Sequence, residues 1–265
     1  MCGIVGYIGS EAAEPILIEG LKCLEYRGYD SAGVAFLRNG EFEIIRAKGK
    51  LSELVKELDG KEWPATVGIG HTRWATQGKP DVINAHPHFT KDVSLVHNGI
   101  IENYRELRAQ LIEKGHELRS ETDTEIICHL IQDQIDSGKD FFQAIIHSIK
   151  ELKGAYSLVI LDRNQENKIY AARKGSPLVV GHKGNECFVA SDIPALLPHT
   201  HDVAFLHDNE MAELNQDGIH FFDFDGNSVQ KEFKHITWTA AQAEKSGYKH
   251  FMICLLYTSD AADES

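Results

Sequence analysis

MCGIVGYI, residues 1–8, decides how this 265-residue chain is read. After Cys2, the run Gly3-Ile4-Val5-Gly6-Tyr7-Ile8 is apolar, carries β-branched residues and has no charge, which predicts a buried strand. Such a strand holds whatever stands at its mouth against rigid backbone, and here that is a cysteine. Once Met1 is removed, Cys2 carries a thiol and a free α-amine on one residue. The amine titrates at about 7.7–8.0, well below lysine at about 10.4, so roughly a tenth is free base near neutrality. A thiol at about 8.5 is only a few per cent thiolate there, and a base beside it makes it a usable nucleophile. One residue can then supply both nucleophile and base, as in the N-terminal-threonine variant of triad chemistry. Alone, a cysteine in second place is only the second residue; the rest of the chain must give it work.

Outward from this strand, residues 11–26 carry Ile16, Leu17, Leu21 and Leu24 at helical spacing. Arg27-Gly28-Tyr29-Asp30 breaks that helix. Residues 32–37 and 42–48 flank Asn39-Gly40, a two-residue hairpin signal. Residues 51–58 predict a short helix, and 66–71 and 93–97 predict strands. The connection between those strands, residues 72–92, is rich in Gly, Pro, His and Asn, and loops of that length inside a domain tend to be functional. Helices follow at 103–114, where Asn103 and Glu106 have capping-box spacing, at 122–135, and at 140–152 behind Asp140. Beyond Gly154 seven short strand patterns succeed one another to residue 224, and Asp225-Gly226 predicts a hairpin turn. The Asp223/Asp225 spacing lacks the later Glu of a calcium loop. Strands cluster at both ends with helices between them, so a doubly wound parallel sheet is disfavoured and two antiparallel-rich sheets covered by helices are expected.

A net charge of −13 disfavours nucleic acid or an anionic membrane as partner. No apolar run approaches the ~20 residues of a membrane span, and residues 1–10 lack the basic start of a signal peptide. The five cysteines are widely spaced, with no CxxC pair. A disulfide framework or zinc site is therefore not expected, and a cytoplasmic location is. The tail departs from what precedes it. Residues 248–253 begin an amphipathic helix, whereas 254–265 read as a translated library adapter joined to a truncated gene, so the natural protein is expected to be longer.

Four polar clusters fall at predicted strand ends or loops: Arg27-Gly28-Tyr29-Asp30, His71-Thr72-Arg73-Trp74-Ala75-Thr76, His97-Asn98-Gly99 and Ser120-Glu121-Thr122-Asp123-Thr124-Glu125. Each has a plain structural explanation as well. Arg27 suits a helix C-terminus, His71 and His97 suit satisfied core histidines, Asn98-Gly99 suits a turn, and Ser120 or Thr122 suits an N-cap.

Taken in order with Cys2-Gly3-Ile4-Val5-Gly6, Asn84-Ala85-His86-Pro87-His88, Arg173-Lys174-Gly175-Ser176-Pro177-Leu178 and Ala190-Ser191-Asp192, these clusters resemble a known family. Over residues 1–252 the chain resembles the glutaminase (class II glutamine amidotransferase) domains of glucosamine-6-phosphate synthases, enzymes of the N-terminal-nucleophile class. The resemblance implies an α+β four-layer sandwich, two antiparallel sheets between helical layers. It implies a glutaminase domain over 1–247 and the start of a connection at 248–253, ahead of the stretch 254–265 read above as non-native. It implies an enzyme that hydrolyses L-glutamine to glutamate and ammonia through a γ-glutamyl thioester on Cys2, with Met1 removal as the maturation step. By the same resemblance, the Asn98 amide and the Gly99 N–H stabilise the developing oxyanion. Arg73 clamps the glutamine carboxylate and Asp123 its ammonium. Thr76 and His86 support the substrate, Trp74 belongs to a closing loop, and Arg27 and Gly28 position the N-terminus. His88 and His97 are left as structural. No cofactor and no metal are implied. Fructose 6-phosphate would be met only through an absent isomerase half, and the full-length parent would be a homodimer. Gln77 departs from the family, which commonly has histidine there; it cannot titrate near neutrality, and no loss of chemistry is expected because the base is the amine. The alternatives are the equivalent domain of amidophosphoribosyltransferase and a non-catalytic glutamine-sensing module.

Overall fold

The computed structural model describes residues 2–237. Fifteen strands and five α-helices follow one another within it. The first part runs β1 (Gly3–Ile8), α1 (Ala13–Cys23), β2 (Ser31–Arg38), β3 (Glu41–Lys48), α2 (Leu51–Leu58) and β4 (Val67–Arg73). After a long connection come β5 (His88–Phe89), β6 (Val93–Ile101), α3 (Tyr104–Glu113), α4 (Asp123–Asp136) and α5 (Phe141–Glu151). The remainder is strand: β7 (Gly154–Asp162), β8 (Ile169–Lys174), β9 (Val179–Lys183), β10 (Glu186–Ala190), β11 (Asp202–Phe205), β12 (Glu210–Asn215), β13 (Gly218–Asp223), β14 (Ser228–Val229) and β15 (Lys234–His235).

The strands make two sheets. One has the order β15-β11-β9-β10-β1-β4-β2-β3, the other β14-β13-β12-β8-β7-β6-β5. Every neighbouring pair on either side of β1 and β6 is antiparallel. Three apolar clusters give the layer order. Val5 and Tyr7 pack outward with Leu17 and Leu21 of α1 and Leu54 of α2. Ile4, Ile8 and Ile69 of the first sheet meet Val96, Val159 and Leu161 of the second. Leu95, Leu158 and Ile160 pack outward against Ile126, Ile127 and Ile145 of α4 and α5. The result is helix, sheet, sheet, helix, the expected α+β four-layer sandwich. Strand β1 lies fourth from one edge of its sheet and is buried on both faces, which is why its sequence is apolar without alternation.

Several local expectations need correction. The first helix is shorter than 11–26: it ends at Cys23, and Glu25–Arg27 is a separate 3-10 turn. Thr72 and Arg73 belong to β4 rather than to the loop after it. The loop itself contains a 3-10 turn at Val82–Asn84 and the short strand β5. No capping box forms at Asn103. Its amide instead spans two backbone groups of the adjoining α5–β7 connection, donating to the Glu151 carbonyl and accepting from Lys153 N–H, both at 2.9 Å. The two expectations for residues 248–253 and 254–265 lie outside the described residues.

Candidate active site

Side-chain parity along the strands assembles the site. In β1, Ile4 and Ile8 point into the space between the sheets, so Cys2, two residues before Ile4, faces the same way. In β4, Ile69 does so, and His71 and Arg73 share its face. In β6, Val96 does so, and Asn98 shares its face. Cys2, Arg73 and Asn98 thus meet at one end of the inter-sheet gap, around a cavity of about 250 Å³.

Cys2 is held from both sides. Its Sγ accepts from Trp74 N–H at 3.1 Å, and Asn98 Nδ2 donates to its backbone carbonyl at 2.9 Å. Burial raises the thiol above its ordinary value, and the Trp74 N–H opposes this. The thiol therefore needs a base to become a nucleophile. The strand bearing it is clamped to the end of β10 by two reciprocal bonds: Ser191 N–H donates to the Ile4 carbonyl and Ile4 N–H to Ser191 Oγ, both at 3.0 Å. Arg27 fixes the same corner, pairing with Asp192 at 2.6 Å and reaching the Ser191 carbonyl at 3.4 Å.

Asn98-Gly99 is strand rather than turn. Residue pairing to β7 continues unbroken through His97↔Leu158, Asn98↔Ser157 and Gly99↔Tyr156. Only glycine fits at 99. Its φ is +136°, and a Cβ there would lie 2.0 Å from the Ala155 carbonyl oxygen. Gly28 is required for a different reason. A Cβ on it would come within 2.7 Å of the Arg73 carbonyl carbon and 2.9 Å of Trp74 N. The turn after α1 thus lies directly against the backbone that touches the thiol.

Arg73 is buried, and its guanidinium donates to the carbonyls of Gln77, Gly78 and Lys79, which curls the following loop around it. Because the contact at 77 is to backbone, it does not depend on the Gln77 side chain. Burial lowers the guanidinium's affinity for its proton, and Asp30, Cys2 and Asp123 oppose that loss. Asp123 opens α4 with Thr122 as its N-cap, and one of its carboxylate oxygens accepts from Ile101 N–H at 2.9 Å. Thr76 lines the cavity. The Trp74 ring is half-exposed at its mouth, edge-on to Tyr29 at 5.6 Å between ring centroids.

His86 lines the same cavity but is buried, with Nε2 3.0 Å from Thr124 Oγ1 and its ring 4.1 Å from that of His71. His97 Nδ1 reaches the same Thr124 hydroxyl at 3.0 Å, and His88 Nε2 reaches Thr122 Oγ1 at 3.1 Å. These four histidines form one buried wall. Burial holds all four below the ordinary histidine value, His71 at about 3. They are neutral at pH 7.

Of the ten residues singled out in the sequence, nine line this cavity and Gly28 backs it. Two further contributors were not assigned roles. Asp30 takes the Ala75 N–H at 2.5 Å and gives its own N–H to the Arg73 carbonyl, so it braces the segment that carries Trp74. Asp192 anchors Arg27. Both stand in quoted motifs, and that was the only signal for either.

Comparison with known proteins bears on this geometry. A family model described as a glutamine amidotransferase domain matches residues 77–198. The glutamine–fructose-6-phosphate aminotransferase of Clostridium acetobutylicum is 47% identical over 264 residues, covering 99% of this chain and 43% of that protein. The enzyme of the same name from Aquifex aeolicus is 47% identical, covering 99% of this chain and 44% of its own length. The chain therefore spans less than half the length of the curated relatives it matches. Among solved structures, the glutamine phosphoribosylpyrophosphate amidotransferase of B. subtilis superposes with a TM-score of 0.73 at 26% identity, over 92% of this chain and 56% of that one.

Proposed function

The chain belongs to the glutamine amidotransferase family, and we infer from that membership and from the cavity's geometry that it hydrolyses L-glutamine to glutamate and ammonia with Cys2 as nucleophile. The single observation that carries this is the meeting of the Cys2 thiol, the Asn98 amide and the Gly99 backbone at one end of the inter-sheet gap. Removal of Met1 frees the Cys2 α-amine, which takes the thiol proton through a water as sulfur attacks the side-chain amide carbon. The C–N bond of the tetrahedral intermediate breaks, the same amine returns a proton to the departing nitrogen, and ammonia leaves a γ-glutamyl thioester. Water then attacks the thioester, releasing glutamate and restoring the thiol. Asn98 Nδ2–H and Gly99 N–H face the oxygen that becomes negative, and such a donor is worth about 3–4 kcal/mol of barrier. Arg73 receives the substrate carboxylate in a bidentate pair, and Asp123 receives its ammonium. Thr76 and His86 complete the walls.

The whole-protein activity goes one step further. Identity near 47% to glutamine–fructose-6-phosphate aminotransferases, against 26% to the purine enzyme, supports a chain that supplies ammonia to a sugar-phosphate half lying beyond it. Fructose 6-phosphate is the acceptor proposed for that half. The boundaries at 247 and 253, a homodimeric parent and a cytoplasmic location belong to the same proposal. The test is labelling with a diazo-ketone analogue of glutamine, mapped by peptide mass spectrometry, alongside intact mass. We expect the label on Cys2, only in chains lacking Met1, with loss of ammonia release. A label elsewhere, or full turnover in chains retaining Met1, overturns the proposal.

A further inference from the structure

We propose that His71 is a positioning residue for the amide of Asn98, fixing which atom of that amide faces the cavity. The inference rests on the glutaminase reading of the site. His71 is fully buried in β4, on the face that looks across to the second sheet. Its Nε2 lies 3.0 Å from Asn98 Oδ1 and 3.1 Å from the His97 carbonyl oxygen. Both neighbours are acceptors, so Nε2 must carry the proton. The ring has one proton to give when neutral, which leaves Nδ1 as a bare lone pair. Nδ1 has no hydrogen-bond partner among the described residues, as that tautomer permits at least cost.

The amide is therefore gripped at both ends. Its oxygen takes the His71 proton, and one Nδ2 hydrogen goes to the Cys2 carbonyl at 2.9 Å. Rotating the amide by half a turn would set Nδ2–H against Nε2–H and Oδ1 against the Cys2 carbonyl, two repulsive contacts in place of two bonds. The second Nδ2 hydrogen is then left to meet the developing negative oxygen. Without the His71 proton, Oδ1 is a buried acceptor with no donor, and the flipped amide would present a lone pair to the oxyanion instead of a hydrogen. Burial keeps the ring neutral, so the donor is constant across the working pH range and His71 moves no proton. Donors aimed in advance at the place where charge develops act on the transition state and not on the bound substrate.

The experiment compares His71→Gln and His71→Met in the full chain, with active sites titrated by the diazo-ketone label so that misfolded protein is not counted. Gln keeps an N–H donor at nearly the same reach; Met keeps the volume and loses the donor. We expect His71→Met to lower kcat per titrated site about 10- to 100-fold with KM for glutamine within about twofold. His71→Gln should recover kcat to within about fivefold of the parent with an unshifted pH profile. A purely structural role would lower thermal stability and active fraction while leaving kcat per site unchanged, and that result overturns the inference. Should His71→Met not fold, His71→Gln decides: retained kcat with the parent's pH profile supports donation as the role, and a loss beyond about 100-fold overturns it. Absence of glutamine turnover in the unsubstituted, Met1-free chain would instead defeat the glutaminase reading itself.

Discussion

Two cavities in this molecule invite opposite conclusions from size and from chemistry. The larger, about 600 Å³, opens between the β2–β3 hairpin and α4; the smaller, about 250 Å³, lies at the mouth of β1. In the larger one the polar groups answer one another. Arg163 pairs with Glu41 and donates to the carbonyls of Gly40 and Lys91. Arg46 donates to the Ala85 carbonyl, His116 shares a hydrogen bond with His129, and Glu125 caps the backbone at Arg119 and Ser120. In the smaller one a thiol, an amide and a positive-φ glycine converge on the same space while their supports lie behind them. A large wall whose polar groups are bonded to backbone and to one another is architecture. A small space ringed by groups supported from outside is where a reacting atom can sit.

That contrast can be broken by substitution. Cys2→Ala should abolish glutamine hydrolysis by more than about 10⁴-fold with little change in melting temperature, read by ammonia release and calorimetry. Residual turnover near the parent level would move the chemistry elsewhere. Asn98→Ala should cost about 10²- to 10³-fold in kcat with a smaller effect on KM. Acid probes the buried histidine wall, of which His86 and His97 line the smaller cavity and His88 the larger. A histidine whose folded-state value is depressed takes up no proton in the native chain, while the unfolded chain takes one up below about 6.5. Stability from these residues is therefore complete above that pH and falls as pH drops through it, by up to about 1.4 kcal/mol per histidine per pH unit. Melting temperatures between pH 7.5 and 5.5 should fall accordingly, and most of the fall should persist in His129→Gln, which alters only the larger cavity. A flat profile would mean that the wall of His71, His86, His88 and His97 is not held neutral. Smallest of all, Arg163→Ala should cost about 1 kcal/mol of stability and leave turnover unchanged, since it removes a tie at the rim of the larger cavity alone.

Local rules reached the elements that local chemistry controls. Asn39 and Gly40 both adopt positive φ and turn the β2–β3 hairpin, and residues 51–58 form the expected helix. Thr122 and Asp140 cap α4 and α5 as their side chains allow. The failures occur where distant backbone overrides a local signal. Asn98-Gly99 has turn chemistry, yet the ladder to β7 keeps it extended. Asn103 has capping chemistry, yet Glu151 and Lys153, some fifty residues on in sequence, engage its amide from the neighbouring α5–β7 connection. The site's residue types were legible because they recur in ordered motifs. The bonds that orient them were not, since the His71 contact to Asn98 joins two sheets through a register that no single segment encodes.

The clasp between Ile4 and Ser191 joins positions 187 residues apart, and it seats the strand that follows the proposed nucleophile. The sulfur precedes β1 in the chain, yet that strand gains its β10 neighbour only once residues 186–190 have been made. Contacts of such long sequence separation form slowly. Competence at Cys2 is thus withheld until the sandwich has closed, and a nascent or clipped polypeptide ending short of β10 would carry the reactive group without the frame that arms it.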